Sequence, residues 1–382
     1  MNVLELQQQL IDYAKTIGID KIGFTTAAPF VDLKQLLKQQ QALGYQSGFE
    51  ESNIELRTEP SLLLEEAASI VAIAIAYPSR MESAPAGKKG ERRGIFCRAS
   101  WGTDYHTVLR EKLALLETFL AEKVPGAKFR SMVDTGELSD RAVAERAGIG
   151  WSGKNCSVIT PEFGSYVYLG EMITNIPFKP DTPIEDECGD CTMCIDVCPT
   201  NAIVQGGQLN SHRCVAFQTQ TKGFLPDEFR EKIGNRIYGC DTCQTVCPKN
   251  KGKKNWLHDA FKPEPELAKP LLEPLLNISN KAFKATYGHM SGSWRGKKPI
   301  QRNAIIALAH FNEESAMPSL IELMQKDDRP MIRGTAAWAI GKIGAEGAQE
   351  VLEAALHTEQ DAEALAEIEK GLTLLKQSKE EE

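Results

Sequence analysis

Eight of the ten cysteines fall between Cys188 and Cys247, in the order Cys188-x2-Cys191-x2-Cys194-x3-Cys198-Pro199, then Cys214, then Cys240-x2-Cys243-x3-Cys247-Pro248. In a Cys-x2-Cys-x2-Cys-x3-Cys-Pro run, three close thiolates hold one four-iron cubane and the fourth crosses to another. Cys188, Cys191, Cys194 and Cys247 are therefore expected on one 4Fe-4S cluster. The second half-run carries Ile237 where its first cysteine would stand, so the lone Cys214 completes a second set with Cys198, Cys240 and Cys243. Zinc competes for paired Cys-x2-Cys elements, but a structural zinc site closes on four ligands. Eight thiols with two Cys-Pro endings suit two cubanes better.

Disulfides suit an exported chain, and residues 1–20 read as an amphipathic helix with Glu5, Asp12 and Lys15 rather than an export signal. With no apolar run long enough for a membrane helix, the expectation is a soluble, cytoplasmic protein in a reducing compartment. At 382 residues the chain exceeds the usual single core, and 42% hydrophobic residues suffice for more than one. A net charge of -8 excludes a uniformly basic surface but not a local basic face.

Two cubanes serve either a free electron carrier or a wire to a reaction centre. Long segments on both sides of the cysteines favour the wire. Neither a dinucleotide-binding glycine motif nor a phosphate loop is present, and the cysteine spacing is not that of radical enzymes built on adenosylmethionine. From residues alone the centre is a redox site with an unnamed cofactor.

The elements that position such a centre read as three segments. Residues 1–181 are mixed α/β, with helices over 3–17 and 104–122, a buried strand over 69–77, and a strand over 129–133 that ends in Asp134-Thr135-Gly136. Ser139 and Asp140 offer caps for a helix that Gly148 stops, and 157–160 with 165–174 suggest a hairpin. Residues 182–260 form the ferredoxin-like two-cluster segment. Residues 261–382 are all-α and repetitive: Arg302-Asn303-Ala304 recurs as Arg333-Gly334-Thr335 at an offset of about thirty residues, in the manner of HEAT repeats. The alternative for this tail is a plain helical cap.

Several stretches carry a family resemblance. Arg92-Arg93-Gly94, Cys97 through Trp101-Gly102 with Asp104-Tyr105-His106, Val133 through Gly136, Ala147 through Trp151 with Lys154-Asn155, Tyr238-Gly239-Cys240-Asp241 with Cys243-Gln244, and Trp294-Arg295-Gly296 ahead of Arg302 resemble the epoxyqueuosine reductases across nearly the whole chain. The resemblance implies a nitroreductase-like cobalamin domain related to reductive dehalogenases, electrons passing through two 4Fe-4S clusters to cobalamin, and removal of the epoxide oxygen from the wobble base of tRNA. It implies Asp134 as proton donor, against the alternative of a helix-capping turn, and Cys97 as active-site lining. Arg57, Cys97, Asp134, Ser157, Val158, Leu169, Gln218 and Tyr238 are its cobalamin contacts. His106 is expected to be an ordinary helix residue rather than a cobalt ligand, and Cys156 structural.

Lys249, Lys251, Lys253 and Lys254, and again Arg295, Lys297, Lys298 and Arg302, are expected to grip tRNA, the alternative being a solvated face. Trp294 or Tyr287 is placed to stack on an unpaired base. The implied partners are the tRNA anticodon stem-loop and an external donor such as flavodoxin or ferredoxin, with the enzyme a monomer. A corrinoid dehalogenase acting on a small molecule is the rival reading, and a non-catalytic electron-transfer and tRNA-binding adaptor a more distant one.

Overall fold

The computed structural model describes residues 2–381, which separate into two compact units. The first comprises Met1–Arg80, Trp101–Cys214 and Asp241–Lys262; the second comprises Met81–Ser100, Val215–Cys240 and Pro263–Glu382. Each is thus assembled from three stretches of chain, whereas the sequence reading used three consecutive segments.

A four-stranded antiparallel sheet organises the first unit, in the order Lys21–Thr26, Ser69–Ala76, Val167–Thr174, Phe129–Met132. Ser69–Ala76 is buried along its whole length, because it is central and covered on both faces. On one face Ile70, Ala72, Ala74, Met132 and Ile173 pack against Val143, Ala144 and Ala147 of the helix Asp140–Arg146. On the other, Leu109 and Leu113 of the helix Tyr105–Lys123 lie over Gly170. That helix forms because Leu109, Leu113, Leu116 and Leu120 make one apolar stripe, all buried, each side chain contributing about 1.5–3 kcal/mol of burial. Asp104 caps it, accepting the His106 amide at 3.0 Å. The first helix, Val3–Thr16, begins with a capping box of Asn2 and Glu5.

Two local expectations are corrected. Val158–Ile159 pairs with Trp151–Ser152, and only an isolated bridge joins Thr160 to Gly164, so the expected hairpin is absent. The strand Val167–Thr174 has two partners of its own, as an apolar strand inside a sheet requires. Ser139 occupies the N-cap of its helix without a side-chain cap bond; the Asp140 carboxylate turns instead to the Asp134 amide.

In the second unit Ile95–Phe96 pairs in parallel with Arg236–Tyr238, and the chain then runs through helices that include Lys297–His310, Met317–Lys326, Pro330–Ile343, Ala348–Leu356 and Ala362–Glu381. Pro330–Ile343 and Ala362–Glu381 approach so closely that a Cβ on Gly341 would lie 2.2 Å from the Gly371 carbonyl oxygen. Glycine is required there by space. Arg230 pairs through both terminal nitrogens with Glu367, at 2.6 and 2.8 Å, in the interior.

Candidate functional site

Asp134 follows the strand Phe129–Met132 in the left-handed conformation, φ 53°, an uncommon state for a side-chain-bearing residue. Its amide donates to Asp140 Oδ2 at 2.8 Å, which fixes the turn, and its side chain is 59% exposed. The start of the Tyr105–Lys123 helix meets it. The Tyr105 hydroxyl donates to Asp134 Oδ2 at 2.8 Å, and His106 Nε2 lies 3.4 Å from the same oxygen. His106 Nδ1 is 2.7 Å from Asp104 Oδ1.

This arrangement sets the protonation states. Burial alone would push His106 down, but the hydrogen bond with Asp104 and the nearby Asp134 carboxylate outweigh it and raise its pKa to about 9, so the ring is imidazolium at neutral pH. The His106 imidazolium, 3.4 Å from Oδ2, and the hydrogen bond from Tyr105 hold the Asp134 carboxyl below the usual carboxylate range. Asp134 therefore rests as a carboxylate with a stored proton beside it. A stack of rings backs this group: Tyr105 lies over Tyr168 at 4.5 Å and 5°, and Tyr168 over Tyr77 at 4.4 Å.

Tyr105 and His106 were missed as working residues in the sequence. The available signal was Asp104-Tyr105-His106 itself, an N-cap followed by two polar rings at a helix start, where side chains project beyond the helix end.

The first cluster's thiols converge. Cys188, Cys191, Cys194 and Cys247 line one cavity of about 120 Å³, bordered by Lys154, Met193 and Lys249. Burial pushes the Cys194 and Cys247 thiols up, and their neighbouring cysteines add to it. Four sulfurs around one space match a cubane, which carries one thiolate per iron. Of the second set, Cys198, Cys214 and Cys243 belong to the first unit and Cys240 to the second. Burial pushes Cys198 up, but the main-chain N–H groups of Thr200, Ala202 and Ile203 outweigh it and hold the thiol low; the Ala202 amide donates to Sγ at 3.2 Å. Cys156, read as structural, has φ 64° and a thiol pushed up to about 11 by burial.

The residues assigned to cobalamin divide between the units. Arg57, Ser157, Val158 and Leu169 lie in the first. Arg57 is half-buried, and burial lowers its pKa. Val158 is 3% exposed and its side chain belongs to the core, so a ligand would meet its main chain. Cys97, Gln218 and Tyr238 lie in the second unit. Cys97 is partly exposed, and its amide donates to the Tyr238 carbonyl at 2.9 Å. A Cβ on Gly239 would sit 2.3 Å from Cys97 Sγ, so only glycine leaves that thiol its place. Gln218 is buried.

The basic residues also sort themselves. Lys251, Lys254 and Lys298 are exposed, Lys249 pairs with Glu187 at 2.6 Å, and Lys253 donates to the Pro161 carbonyl. Arg302 is a correction. It is fully buried, donating to the carbonyls of Gln218, Thr221 and Gly223, so it holds a loop and has no surface to offer tRNA. Lys297 donates to the Ile278 carbonyl at 2.7 Å, and burial lowers its pKa. Arg295 lies 4.1 Å over the ring of Trp294, which is 51% exposed and donates through Nε1 to Gln220 Oε1 at 2.9 Å. Tyr287 is not available to a base: it is buried, stacked on Phe96 at 5.6 Å.

Comparison with known proteins places these features. Residues 57–135 match the family described as epoxyqueuosine reductase QueG, DUF1730; residues 187–250 match a 4Fe-4S double cluster binding domain; residues 296–373 match HEAT repeats. The epoxyqueuosine reductase of Bacillus anthracis is 68% identical over 380 residues, covering 100% of both chains. That of Bacillus subtilis is 69% identical, covering 99% of this chain and 98% of the relative. Among solved structures, epoxyqueuosine reductase with a tRNA-Tyr epoxyqueuosine-modified tRNA stem loop superimposes with a TM-score of 0.97 at 69% identity, over 98% of this chain and 100% of that one. The Bacillus subtilis enzyme, solved with its Asp134 catalytic loop swung out of its active site, gives 0.96 at 68% identity with the same coverage.

Proposed function

The chain belongs to the epoxyqueuosine reductase family, and on that premise we propose that it reduces epoxyqueuosine at the wobble position of tRNA to queuosine, the final step of queuosine biosynthesis. Two electrons and two protons remove the epoxide oxygen as water. The observation that carries the reading is the carboxylate of Asp134 meeting Tyr105 and the His106 imidazolium at the end of a sheet strand.

Opening the ring leaves an oxygen that must be protonated. The reserve for this is the imidazolium, already 3.4 Å from Asp134 Oδ2, with the Tyr105 hydroxyl on the same oxygen. Resting as a carboxylate, Asp134 first takes the His106 proton and then passes it to the substrate oxygen; the second proton of the departing water comes from solvent, which also restores the His106 imidazolium. Asp104 keeps the imidazole oriented through Nδ1.

Cys188, Cys191, Cys194 and Cys247 would hold one 4Fe-4S cluster and Cys198, Cys214, Cys240 and Cys243 the other, and such clusters would supply electrons one at a time. Cobalamin is the proposed acceptor, and when bound it supplies low-potential electrons to the carbon–oxygen bond. His106 is not offered as a ligand to such a corrinoid, because both of its ring nitrogens face carboxylates. Arg57, Ser157, Leu169 and the Val158 main chain, with Cys97, Gln218 and Tyr238, would hold it. Lys249, Lys251, Lys253, Lys254, Arg295, Lys297 and Lys298 are the proposed tRNA contacts, with Trp294 as a stacking platform. The enzyme is proposed to act as a cytoplasmic monomer fed by flavodoxin or ferredoxin; among the described residues no helix is long and apolar enough to cross a membrane.

Asp134→Asn tests the core of this reading. It keeps the shape but removes the acid, so turnover of epoxyqueuosine-containing tRNA falls by about 10²-fold or more while iron content is retained. Unchanged turnover would reduce Asp134 to a turn residue.

A further inference from the structure

Glu171 is a glutamate in the middle of the sheet. It stands opposite both Ala72 and Met132 in the strand Val167–Thr174, is 1% exposed, and has one carboxyl oxygen, Oε1, without a hydrogen-bond partner. Its neighbours Leu169 and Ile173 on the same face belong to an apolar core. An ionised carboxylate in such a place is costly unless it is paired. The group within its reach is another acid, Asp140, in the first turn of the helix Asp140–Arg146. Asp140 is also the acceptor for the Asp134 amide, at 2.8 Å. Three acids therefore stand in line from the sheet interior to the active-site loop, and the reaction as described uses only the last.

We propose that Glu171 and Asp140 share one proton as a carboxyl–carboxylate pair that positions the Asp134 loop, Glu171 donating to Asp140 so that Asp140 stays an acceptor for the Asp134 amide. This rests on the reading of Asp134 as proton donor. The helix that begins at Asp140 packs on the sheet face that carries Glu171, and two neighbouring acids inside a protein do not both ionise: the one with more stabilising neighbours keeps the charge. Asp140 has those neighbours: the Asp134 amide, which donates to it at 2.8 Å, and the Arg57 guanidinium in its vicinity. The charged groups that act on Glu171 are themselves acids, Asp140 and Asp134. Burial, reinforced by Asp140, pushes Glu171 well above the carboxylate range, whereas Asp140 is pushed up to about 6. Both directions agree with the geometric assignment. The pair is a positioning device: it holds a non-glycine residue at φ 53°, a conformation the chain would otherwise leave.

The experiment reads the pair without turnover. Infrared spectra of the cluster-loaded full chain at neutral pH should contain the carbonyl stretch of a buried neutral carboxylic acid, absent from Glu171→Gln. Amide hydrogen exchange over residues 133–139 should remain slow in Glu171→Gln, whose amide still donates to Asp140. It should speed up about tenfold or more in Glu171→Leu and in Asp140→Ala, each of which leaves a polar group of the line without its partner. No neutral-acid band at pH 7, a band that survives Glu171→Gln, or loop exchange unchanged in Asp140→Ala would each overturn the proposal. If Asp134→Asn leaves turnover intact while the band and the exchange pattern are as stated, the catalytic reading has failed and the pair stands.

Discussion

At the scale of single residues the chemistry depends on one histidine keeping its proton. The folded pKa of His106, about 9, exceeds its ordinary value of 6.5. The sign follows from linkage: the ion pair with Asp104 and Asp134 contributes fully below about 6.5 and is lost as pH rises through about 9. Turnover should therefore fall across an alkaline limb near pH 9 in the parent. In His106→Gln that limb should disappear and turnover at neutral pH should drop about tenfold or more. A pH–rate profile checks both, and an unchanged limb in the variant would assign the titration to another group. The Tyr105, His106 and Asp134 constellation was not legible in the sequence, because its members lie on a helix start and a strand end that only the sheet brings together. Glu171 was hidden for a related reason: inside an apolar strand it gave no sign of the acid opposite it. Asp134 stood out at the end of a strand ahead of Gly136, a place that suits a turn residue as well as an acid, and its role as proton donor came from the family resemblance.

Among elements, those with a strong local pattern were read correctly. The leucine stripe of Tyr105–Lys123 and the capping box of Val3–Thr16 declare helices in a single stretch of chain. Strand partners did not show, since pairing is decided by residues far apart, and the expected hairpin gave way to a central strand with two neighbours. Charge runs misled in the same manner. Arg302 sits in a basic run yet is a buried clamp on a loop, because the repeat turns it inward. Arg302→Leu should therefore cost about 1–3 kcal/mol of stability by stranding buried carbonyls, measured by denaturant unfolding. Lys297→Ala with Lys298→Ala should act differently. It should weaken tRNA binding and flatten the dependence of affinity on salt, since fewer counterions are released, with iron content unchanged. Equal tRNA affinity in this double variant would place the tRNA surface elsewhere.

For the whole molecule, cysteine spacing was the most informative feature, because ligand spacing around a cluster is fixed by bond lengths and survives in the sequence. The match of residues 187–250 to a double-cluster domain agrees with it. The anaerobically purified protein should carry about eight irons per chain, and Cys214→Ala should lose roughly half of them. Full retention would show the second ligand set to be wrong. The cofactor that accepts the electrons left no comparable spacing, since a corrinoid is held by scattered contacts rather than a motif.

The most direct test of the account is single-turnover mass spectrometry. An anticodon stem-loop bearing epoxyqueuosine would be incubated without air with the cluster-loaded protein, cobalamin and a strong reductant. The account predicts loss of one oxygen from the modified base to give queuosine, dependent on cobalamin and on Asp134. An intact epoxide after incubation with protein shown to hold both clusters and the corrinoid would contradict it, and conversion that proceeds equally without cobalamin would remove the proposed electron acceptor.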